Sequence, residues 1–371
     1  FASLYQGVAA ICALRFGAKQ KGTDPAEPHW PKVCCLKPLC GAEDHLWKNI
    51  KSLLHQDYPN YEVILGAADP RDPAYELARQ ICRKYPEKCA RVISGEIGDG
   101  ANRKIRNLRN LERSIKPDPS VVVISDSDTR VARDYLKRMV SPLVKDPTIG
   151  AVTAIYRMDG VSRWGDFLEG LTIHTDFVPG VLVAATFSRS RYAFGASIAL
   201  RIADLKEIGG LEKVEDHLAD DYRIGLLVHD LGKRVALAPY VVSVMLSSRG
   251  LKDSFSRILR WNRTVRICEP WGYVLSLAAN TGIWAPLVLL FFKGSLTGWF
   301  VFLGAWTVRI LSAAIVGRSI GSQHRALYAF LAPIFDLFRV VLWISALAGN
   351  TVTWRGRRYR VARDGRIKEM G

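Results

Sequence analysis

The sequence predicts an α/β protein that continues into apolar helices. In the first third of the chain, strand-like stretches at 33–36, 61–65 and 91–94 alternate with helical ones. This β-α-β-α-β order is typical of an open, mostly parallel sheet with helices on its faces. From about Trp271 the composition changes to Trp, Phe, Leu, Ala, Val and Gly. A chain of 371 residues has room for one large domain together with membrane helices.

The amino-terminal segment is apolar. Residues 1–16 contain a single charge, Arg15, and are slightly short for a membrane span. We interpret them as the remnant of an N-terminal membrane anchor. The alternative is a signal peptide, which would be followed by a small-residue cleavage site. Residues 17–31 instead contain two lysines and three prolines, and we predict a linker.

The predicted α/β domain covers residues 32–248, and its most informative stretch ends in two carboxylates. The β-branched run at 120–124 predicts a buried strand, and Asp126 and Asp128 follow it. Functional groups in parallel sheets lie at the carboxyl ends of strands, where two carboxylates repel each other unless a cation lies between them. We therefore predict a site for Mg²⁺ or Mn²⁺. The alternative is a solvated turn rich in Asp and Ser.

Further polar groups precede this strand. Asp69 follows the second strand and is expected at the same edge of the sheet. The glycine-rich turn at 98–100 precedes a helix, where Arg103 or Lys104 can reach a phosphate. The alternative for these residues is a helix with an exposed basic face.

Two later stretches have both a structural and a functional interpretation. Residues 164–187 are long and mostly apolar, as in a buried helix or in a surface apposed to a membrane. Asp220 and Asp221 lie at a predicted helix start, where the helix dipole favours acidic residues. The functional interpretation is that one of these carboxylates is a general base.

Residues 249–270 are predicted to be a basic amphipathic helix. Leu251, Phe255 and Ile258 share one side at helical spacing, while arginines lie elsewhere. Such a helix is suited to an anionic membrane surface. The formal net charge of +17 also indicates an anionic partner. The basic residues are concentrated near the apolar segments rather than in one groove, which favours a membrane surface over nucleic acid.

Three apolar stretches, 273–292, 296–317 and 326–348, lie within a predicted membrane region at 271–350. The second and third carry charged residues, which are costly at membrane depth unless they are paired. Residues 351–371 are predicted to be a basic cytosolic tail by the positive-inside rule. An N-terminal anchor and three further spans would place this tail outside. We therefore expect one segment to be re-entrant or interfacial, with the second or third as the best candidate.

Seven motifs together resemble glycosyltransferase family 21, the ceramide glucosyltransferases, and especially its bacterial members, which include hopanoid-associated glycosyltransferases. The resemblance extends from about Val33 into the tail. The motifs are Leu36-Lys37-Pro38-Leu39-x-Gly41, Asp57-Tyr58-Pro59-x-Tyr61-Glu62-Val63, Asp69-x-x-Asp72-Pro73, Asn102-x-Lys104-x-x-Asn107-Leu108, Asp126-Ser127-Asp128, Asp220-Asp221-Tyr222 and Arg257-x-x-Arg260-Trp261.

The resemblance implies a GT-A fold that binds a UDP-sugar and is followed by membrane helices. It implies that Asp69 contacts the uridine and that Asp126 and Asp128 hold the metal, with Asp128 the principal ligand. It implies that Asp221 is the catalytic base. Further implied groups are nucleotide-side contacts by Lys37, Asn102, Lys104, Asp126 and Asp220, and closure over the diphosphate and acceptor by Arg257, Arg260 and Trp261.

The function implied is inverting, metal-dependent transfer of glucose from UDP-glucose to ceramide, with the catalytic domain on the cytosolic side of a bacterial inner membrane. Animal members often have Asp-Ser-Gly where this chain has Asp126-Ser127-Asp128. This difference leaves transfer of N-acetylglucosamine from UDP-GlcNAc to a hopanoid, or to another lipid, as an alternative. A non-enzymatic membrane protein that binds anionic ligands is a third possibility. It gives no reason for carboxylates at three strand or helix ends.

Overall fold

The computed structural model describes residues 1–22, 27, 29–88, 90–187, 191–247 and 250–370. The predicted linker at 17–31 therefore lies partly outside the described residues, as does residue 249 of the predicted basic segment. Where the linker is described, it begins later than the sequence predicts, because the first helix continues to Gln20.

The strands reproduce the predicted order, and several are longer than expected. They are β1 (Val33–Leu39), β2 (Tyr61–Ala67), β3 (Ala90–Ser94), β4 (Val121–Ser125), β5 (Thr129–Arg130), β6 (Ile149–Asp159), β7 (Ser197–Arg201), β8 (Arg234–Met245), β9 (Thr351–Trp354), β10 (Arg357–Val361) and β11 (Ile367–Glu369).

The helices alternate with these strands and then dominate the last third of the chain. They are α1 (Ala2–Gln20), α2 (Leu46–Leu54), α3 (Pro73–Lys84), α4 (Arg103–Arg113), α5 (Tyr135–Lys145), α6 (Trp164–Thr172), α7 (Val178–Phe187), α8 (Ile202–Glu207), α9 (Asp220–Asp230), α10 (Leu251–Cys268), α11 (Pro270–Ala278), α12 (Thr281–Phe291), α13 (Leu296–Ser319) and α14 (Arg325–Leu347). A π-helical turn, Ile173–Phe177, joins α6 to α7, and a 3₁₀ turn, Leu211–Val214, precedes α9.

The main sheet has eight strands in the order β3-β2-β1-β4-β7-β6-β8-β5. Its first four strands are parallel, as predicted, whereas β7 runs antiparallel to both β4 and β6. The sequence predicts a break of β1 at Lys37, but the strand continues to Leu39. Beyond Leu36, β1 pairs only with β2 and no longer with β4. Proline has no N–H to donate, and it is tolerated at position 38 because one side of the strand is unpaired there.

The apolar helices include the predicted membrane segments. Within the described residues, three helical stretches are long and apolar enough to cross a membrane: Trp164–Phe187, Leu296–Ser319 and Arg325–Leu347. The pair Pro270–Ala278 and Thr281–Phe291 passes the same test as one unit, with a bend of 42°. The bend therefore lies in the first of the three predicted apolar stretches, 273–292, which has no charged residue, and not in the second or third.

The charges in the second and third stretches are paired with each other. The Arg309 guanidinium donates to both carboxylate oxygens of Asp336, at 2.8 and 2.7 Å, and to Gln6 of α1 at 3.2 Å. Arg339 lies 3.6 Å from the same carboxylate. The Arg309 and Asp336 side chains are only 1% exposed. This pairing satisfies the condition under which charges are tolerated at membrane depth.

Both ends of α14 are bound to the rest of the protein on the side of the main sheet. Shortly before α14, the carbonyl of Ile320 accepts a hydrogen bond from Arg157 of β6 at 2.9 Å. Just after it, Arg263 donates to the carbonyl of Ala348 at 2.8 Å, and Arg266 also donates to carbonyls in this segment. Two arginines of the predicted basic amphipathic helix, Arg263 and Arg266, thus donate to backbone carbonyls of the protein itself.

Residues predicted as a basic tail fold into a second sheet, with β10 between the antiparallel neighbours β9 and β11. This C-terminal sheet packs its apolar side chains against Leu218, which lies two residues before α9. Backbone hydrogen bonds fix the contact, because Leu218 donates to Gly365 at 3.2 Å and Ile367 donates to Asp216 at 2.7 Å. The C-terminal sheet therefore lies on the same side of the apolar helices as the main sheet.

Candidate active site

The turn after β4 carries the two predicted carboxylates, and the buried side chain of Lys37 donates hydrogen bonds to it. The Lys37 ammonium is fully buried and donates to the carbonyl of Asp126 at 2.6 Å and to the Thr129 hydroxyl at 2.9 Å. Burial lowers the pKa of Lys37 to about 8. The resemblance implies that Lys37 contacts the nucleotide, whereas the structure places it beneath the turn that presents Asp126 and Asp128.

Lys104 joins the β4 turn to the start of α9. Its ammonium lies 2.8 Å from an oxygen of Asp126 and 3.1 Å from an oxygen of Asp220. Burial opposes the charge, but these two carboxylates outweigh it and raise the pKa of Lys104. Asn102 caps α4 by accepting from the backbone of Ile105, and it donates to Asp220 at 3.4 Å. Three sequence motifs therefore meet at one ammonium group.

Asp221 lies in the first turn of α9, beside Asp220. One of its oxygens accepts from the backbone of Tyr222 at 2.8 Å. A Cβ atom at Gly195 would lie 3.1 Å from the other oxygen, so glycine there leaves room beside the carboxylate. Burial and the neighbouring Asp220 charge raise the pKa of Asp221 to about 6. A carboxylate whose pKa lies closer to neutral pH is suited to act as a general base.

Arg257 of α10 reaches the β4 turn from the opposite side. Its guanidinium lies 3.9 Å from Asp128 and 3.4 Å from Glu169 of α6, and it lies over the ring of Trp261 at 5.3 Å. Arg260, one turn further along α10, lies over Trp354 of the C-terminal sheet at 5.9 Å. The two arginines of the motif thus contact different parts of the protein.

Asp69 lies apart from this cluster. It follows β2, which is separated from β4 by β1, a spacing of about 10 Å across the sheet. Its carboxylate binds the side chain and backbone of Arg71, and these hydrogen bonds lower the pKa of Asp69 to about 2. The side chain is 44% exposed, so it stays open to a ligand along the strand ends.

Two residues at the site are not among the sequence predictions. Glu169 is fully buried beside Arg257, within the stretch interpreted as an apolar helix. Its charge in an apolar run is the signal that could have revealed it. Tyr156 of β6 packs its ring on Phe177, with centroids 4.7 Å apart. Burial and the charge of the Asp221 carboxylate raise the pKa of Tyr156.

The carboxylates at the β4 turn fit a hard divalent cation. Asp126 is already paired with Lys104, whereas burial and the charge of Asp126 raise the pKa of Asp128. A cation at Asp128 would relieve this repulsion. The described residues contain no group of three or more His, Cys, Asp or Glu side chains suited to a metal. Asp126 and Asp128 supply carboxylate oxygens, and Mg²⁺ commonly takes its remaining ligands from substrate phosphates and water.

Comparison with known proteins identifies the family. The family model Glycosyl transferase family 21 matches residues 2–367. The chain belongs to this glycosyltransferase family. Ceramide glucosyltransferase 1 of Caenorhabditis elegans is 24% identical over 352 residues, covering 92% of this chain and 74% of the relative. The ceramide glucosyltransferase of Gibberella zeae is 30% identical over 178 residues, covering 45% of this chain and 30% of the relative.

The fold of this family 21 glycosyltransferase also matches a solved enzyme. The mannosyltransferase PcManGT from Pyrobaculum calidifontis, solved with GDP-Man and Mn²⁺, has a TM-score of 0.51 and is 18% identical, covering 94% of this chain and 98% of that one. The likeness confirms the predicted GT-A fold. Family membership confirms the predicted enzyme class and rules out a non-enzymatic binding protein.

Proposed function

We propose that this glycosyltransferase transfers glucose from UDP-glucose to the hydroxyl of ceramide, with inversion, and produces a β-glycolipid. Relatives named ceramide glucosyltransferases support the lipid acceptor. The observation that carries the proposal is the convergence of three elements. The Lys104 ammonium lies 2.8 Å from Asp126 after β4 and 3.1 Å from Asp220, the residue before Asp221 on α9. From α10, the Arg257 guanidinium lies 3.9 Å from Asp128 of the same β4 turn.

Each group has a defined task in this scheme. Asp221 removes the proton from the acceptor hydroxyl as that oxygen attacks the anomeric carbon opposite the departing UDP. Negative charge then develops on the β-phosphate, where Lys104 and Arg257 supply fixed positive charge. Mg²⁺ or Mn²⁺ held by Asp126 and Asp128 would add positive charge to the same diphosphate. Attack from the opposite face gives inversion.

The donor pocket extends along the strand ends in this proposal. Asp69 binds the uridine, while Asp220 and Asn102 keep Lys104 oriented toward the phosphates. The Mn²⁺ and GDP-Man of the mannosyltransferase structure support a nucleotide-sugar donor and a divalent metal. Lys37 acts on the nucleotide only through the turn that it supports.

A second candidate is transfer of N-acetylglucosamine from UDP-GlcNAc to a hopanoid. The Asp126-Ser127-Asp128 sequence favours it, because the second aspartate distinguishes this chain from many animal members. Purified protein should be offered a panel of UDP-sugars with ceramide, diacylglycerol and hopanoid, and the product identified by mass. Glucosylceramide supports the first proposal, an N-acetylhexosaminyl hopanoid the second. Absence of any glycolipid with every pair contradicts both.

We propose that the active site faces the cytosol at a bacterial inner membrane whose anionic surface attracts this basic protein. The α11–α12 pair leaves the cytosolic side and α13 returns to it, whereas α14 is re-entrant: it enters beside α13, where Asp336 pairs with Arg309, and does not cross. The attachment of both ends of α14 on the side of the main sheet supports this arrangement. It also resolves the parity of spans, because the C-terminal sheet then stays cytosolic.

Cysteine labelling in intact cells tests this topology. A Lys293→Cys variant, in the exposed turn between α12 and α13, should react with a membrane-impermeant maleimide. A Lys368→Cys variant should react only after permeabilisation. Labelling of residue 368 in intact cells would refute a cytosolic C-terminal sheet. Protection of residue 293 would show that the hairpin does not cross.

Glu169 is expected to hold Arg257 in place. Its replacement by glutamine keeps the shape but removes the charge 3.4 Å from the guanidinium. We expect kcat to fall by about tenfold, the equivalent of about 1.4 kcal/mol. The matched control is Asp204→Asn, which breaks a buried ion pair with Lys233 outside the site. A normal kcat in Glu169→Gln, measured per folded molecule, would show that Glu169 does not position Arg257 for catalysis.

A further inference from the structure

The C-terminal sheet contacts the segment that leads into α9, the helix that carries Asp220 and Asp221. Its strand β11 and the loop before it bind the segment at residues 215–218 through the backbone bonds described above, and Leu218 enters the core of the C-terminal sheet. Asp220 and Asp221 begin α9 only two residues later. A displacement of the C-terminal sheet would therefore be transmitted to the start of α9.

The same segment holds the loop that precedes α4. Its Glu215 carbonyl accepts from the backbone of Asn102 at 2.8 Å, and its Asp216 carboxylate accepts from the backbone of Ala101 at 3.0 Å. The side chain of Asn102 donates to the His217 carbonyl at 2.8 Å. One short segment thus connects the C-terminal sheet to the helix that carries Lys104.

A direct contact joins the C-terminal sheet to the arginine motif. The guanidinium of Arg260 lies 5.9 Å from the ring centre of Trp354, at the end of β9. This distance is within the range of a cation–π interaction. The carbonyl of Thr351, on the same strand, accepts a hydrogen bond from Arg263. Two arginines, three residues apart on α10, are therefore held by β9.

We propose that the C-terminal sheet is a positioning element of the glycosyl-transfer site and that Trp354 holds Arg260 in its working orientation. The inference rests on the proposed function and on the role that the family resemblance implies for Arg260, closure over the diphosphate and acceptor. Trp354 does not touch the reacting atoms and acts through Arg260. Contact with the indole face restricts the orientation of the guanidinium.

Three variants and a double-mutant cycle test the coupling. Trp354→Leu keeps apolar volume but removes the ring, and Trp354→Ala removes both. We expect each to lower kcat by about 3- to 30-fold while the KM for the UDP-sugar stays within about twofold. Trp354→Phe retains an aromatic face and should recover most of the loss. In an Arg260→Ala background, Trp354→Leu should cause no further loss, since the contact is already absent.

The outcomes separate the inference from the proposed function. Arg358→Ala, at an exposed position of β10, is the control for general changes in the C-terminal sheet and should leave kcat unchanged. A purely structural role for Trp354 would instead lower thermal stability and leave kcat per folded molecule intact. Additive losses of kcat in the Trp354→Leu, Arg260→Ala double variant would show that Trp354 acts independently of Arg260. Either normal kcat in Trp354→Leu or additivity overturns the inference. Absence of UDP release by the wild-type protein, with every UDP-sugar, overturns the proposed function and the inference with it.

Discussion

Replacement of Asp221 by asparagine is expected to lower kcat by about 10²- to 10⁴-fold, the range expected for loss of a positioned general base. Asparagine keeps the size of the side chain and its contact with the Tyr222 backbone, but it cannot take a proton. The KM for the UDP-sugar should change little, because Asp221 acts on the acceptor. Asp230→Asn, at the exposed far end of the same helix, is the matched control and should retain full activity.

The pH profile gives an independent check on the same residue. Burial and the Asp220 charge raise the pKa of Asp221 from 3.8 to about 6, and only the ionised form can accept a proton. We therefore expect kcat/KM to fall as the pH drops below about 6 and to level off above about 7. Asp220→Asn removes the neighbouring negative charge, so it should move this acid limb to lower pH. An unchanged acid limb in Asp221→Asn would assign the titration to another group.

Removal of divalent metal is the second change with a large expected effect. Chelation should abolish transfer, and Asp128→Asn should lower kcat/KM by about 10²-fold or more, because the diphosphate loses a source of positive charge. We expect Asp128 to be the critical carboxylate, since Asp126 already has Lys104 at 2.8 Å while the guanidinium of Arg257 lies 3.9 Å from Asp128.

Binding of Mn²⁺, measured by electron paramagnetic resonance, separates this role from a general loss of activity. The wild-type protein should bind one ion, and Asp128→Asn should bind it at least tenfold more weakly. Asp118→Asn, at an exposed carboxylate paired with Lys32, is the control and should bind normally. Full activity in chelated protein, or wild-type Mn²⁺ affinity in Asp128→Asn, would contradict a metal site at the β4 turn.

The parts of this structure that the sequence predicts are those with local patterns. The buried strand before Asp126, the helix start at Asp220 and the turn before Asn102 each have a signature within a few residues. Because the carboxyl ends of parallel strands lie at the same edge of a sheet, Asp69 and Asp126 can be placed at that edge without knowledge of any contact between distant segments.

The parts that the sequence does not predict depend on contacts between distant segments. The C-terminal sheet has strands of only three to five residues, and β10 among them is rich in arginine. The place of this sheet becomes apparent only from the apolar contact with Leu218. Lys37 has the residue type expected for a phosphate contact, yet the fold buries it beneath the β4 turn. The role of Glu169 depends on the approach of α10 to α6.

The most direct test of the central claim is the anomeric configuration of the product formed from an α-linked UDP-sugar and the lipid acceptor, determined by nuclear magnetic resonance. Attack by the lipid hydroxyl from the face opposite UDP, with Asp221 as the base, predicts a β-linked glycolipid and equimolar UDP. An α-linked product would contradict the scheme, because retention requires a different arrangement of groups around the anomeric carbon.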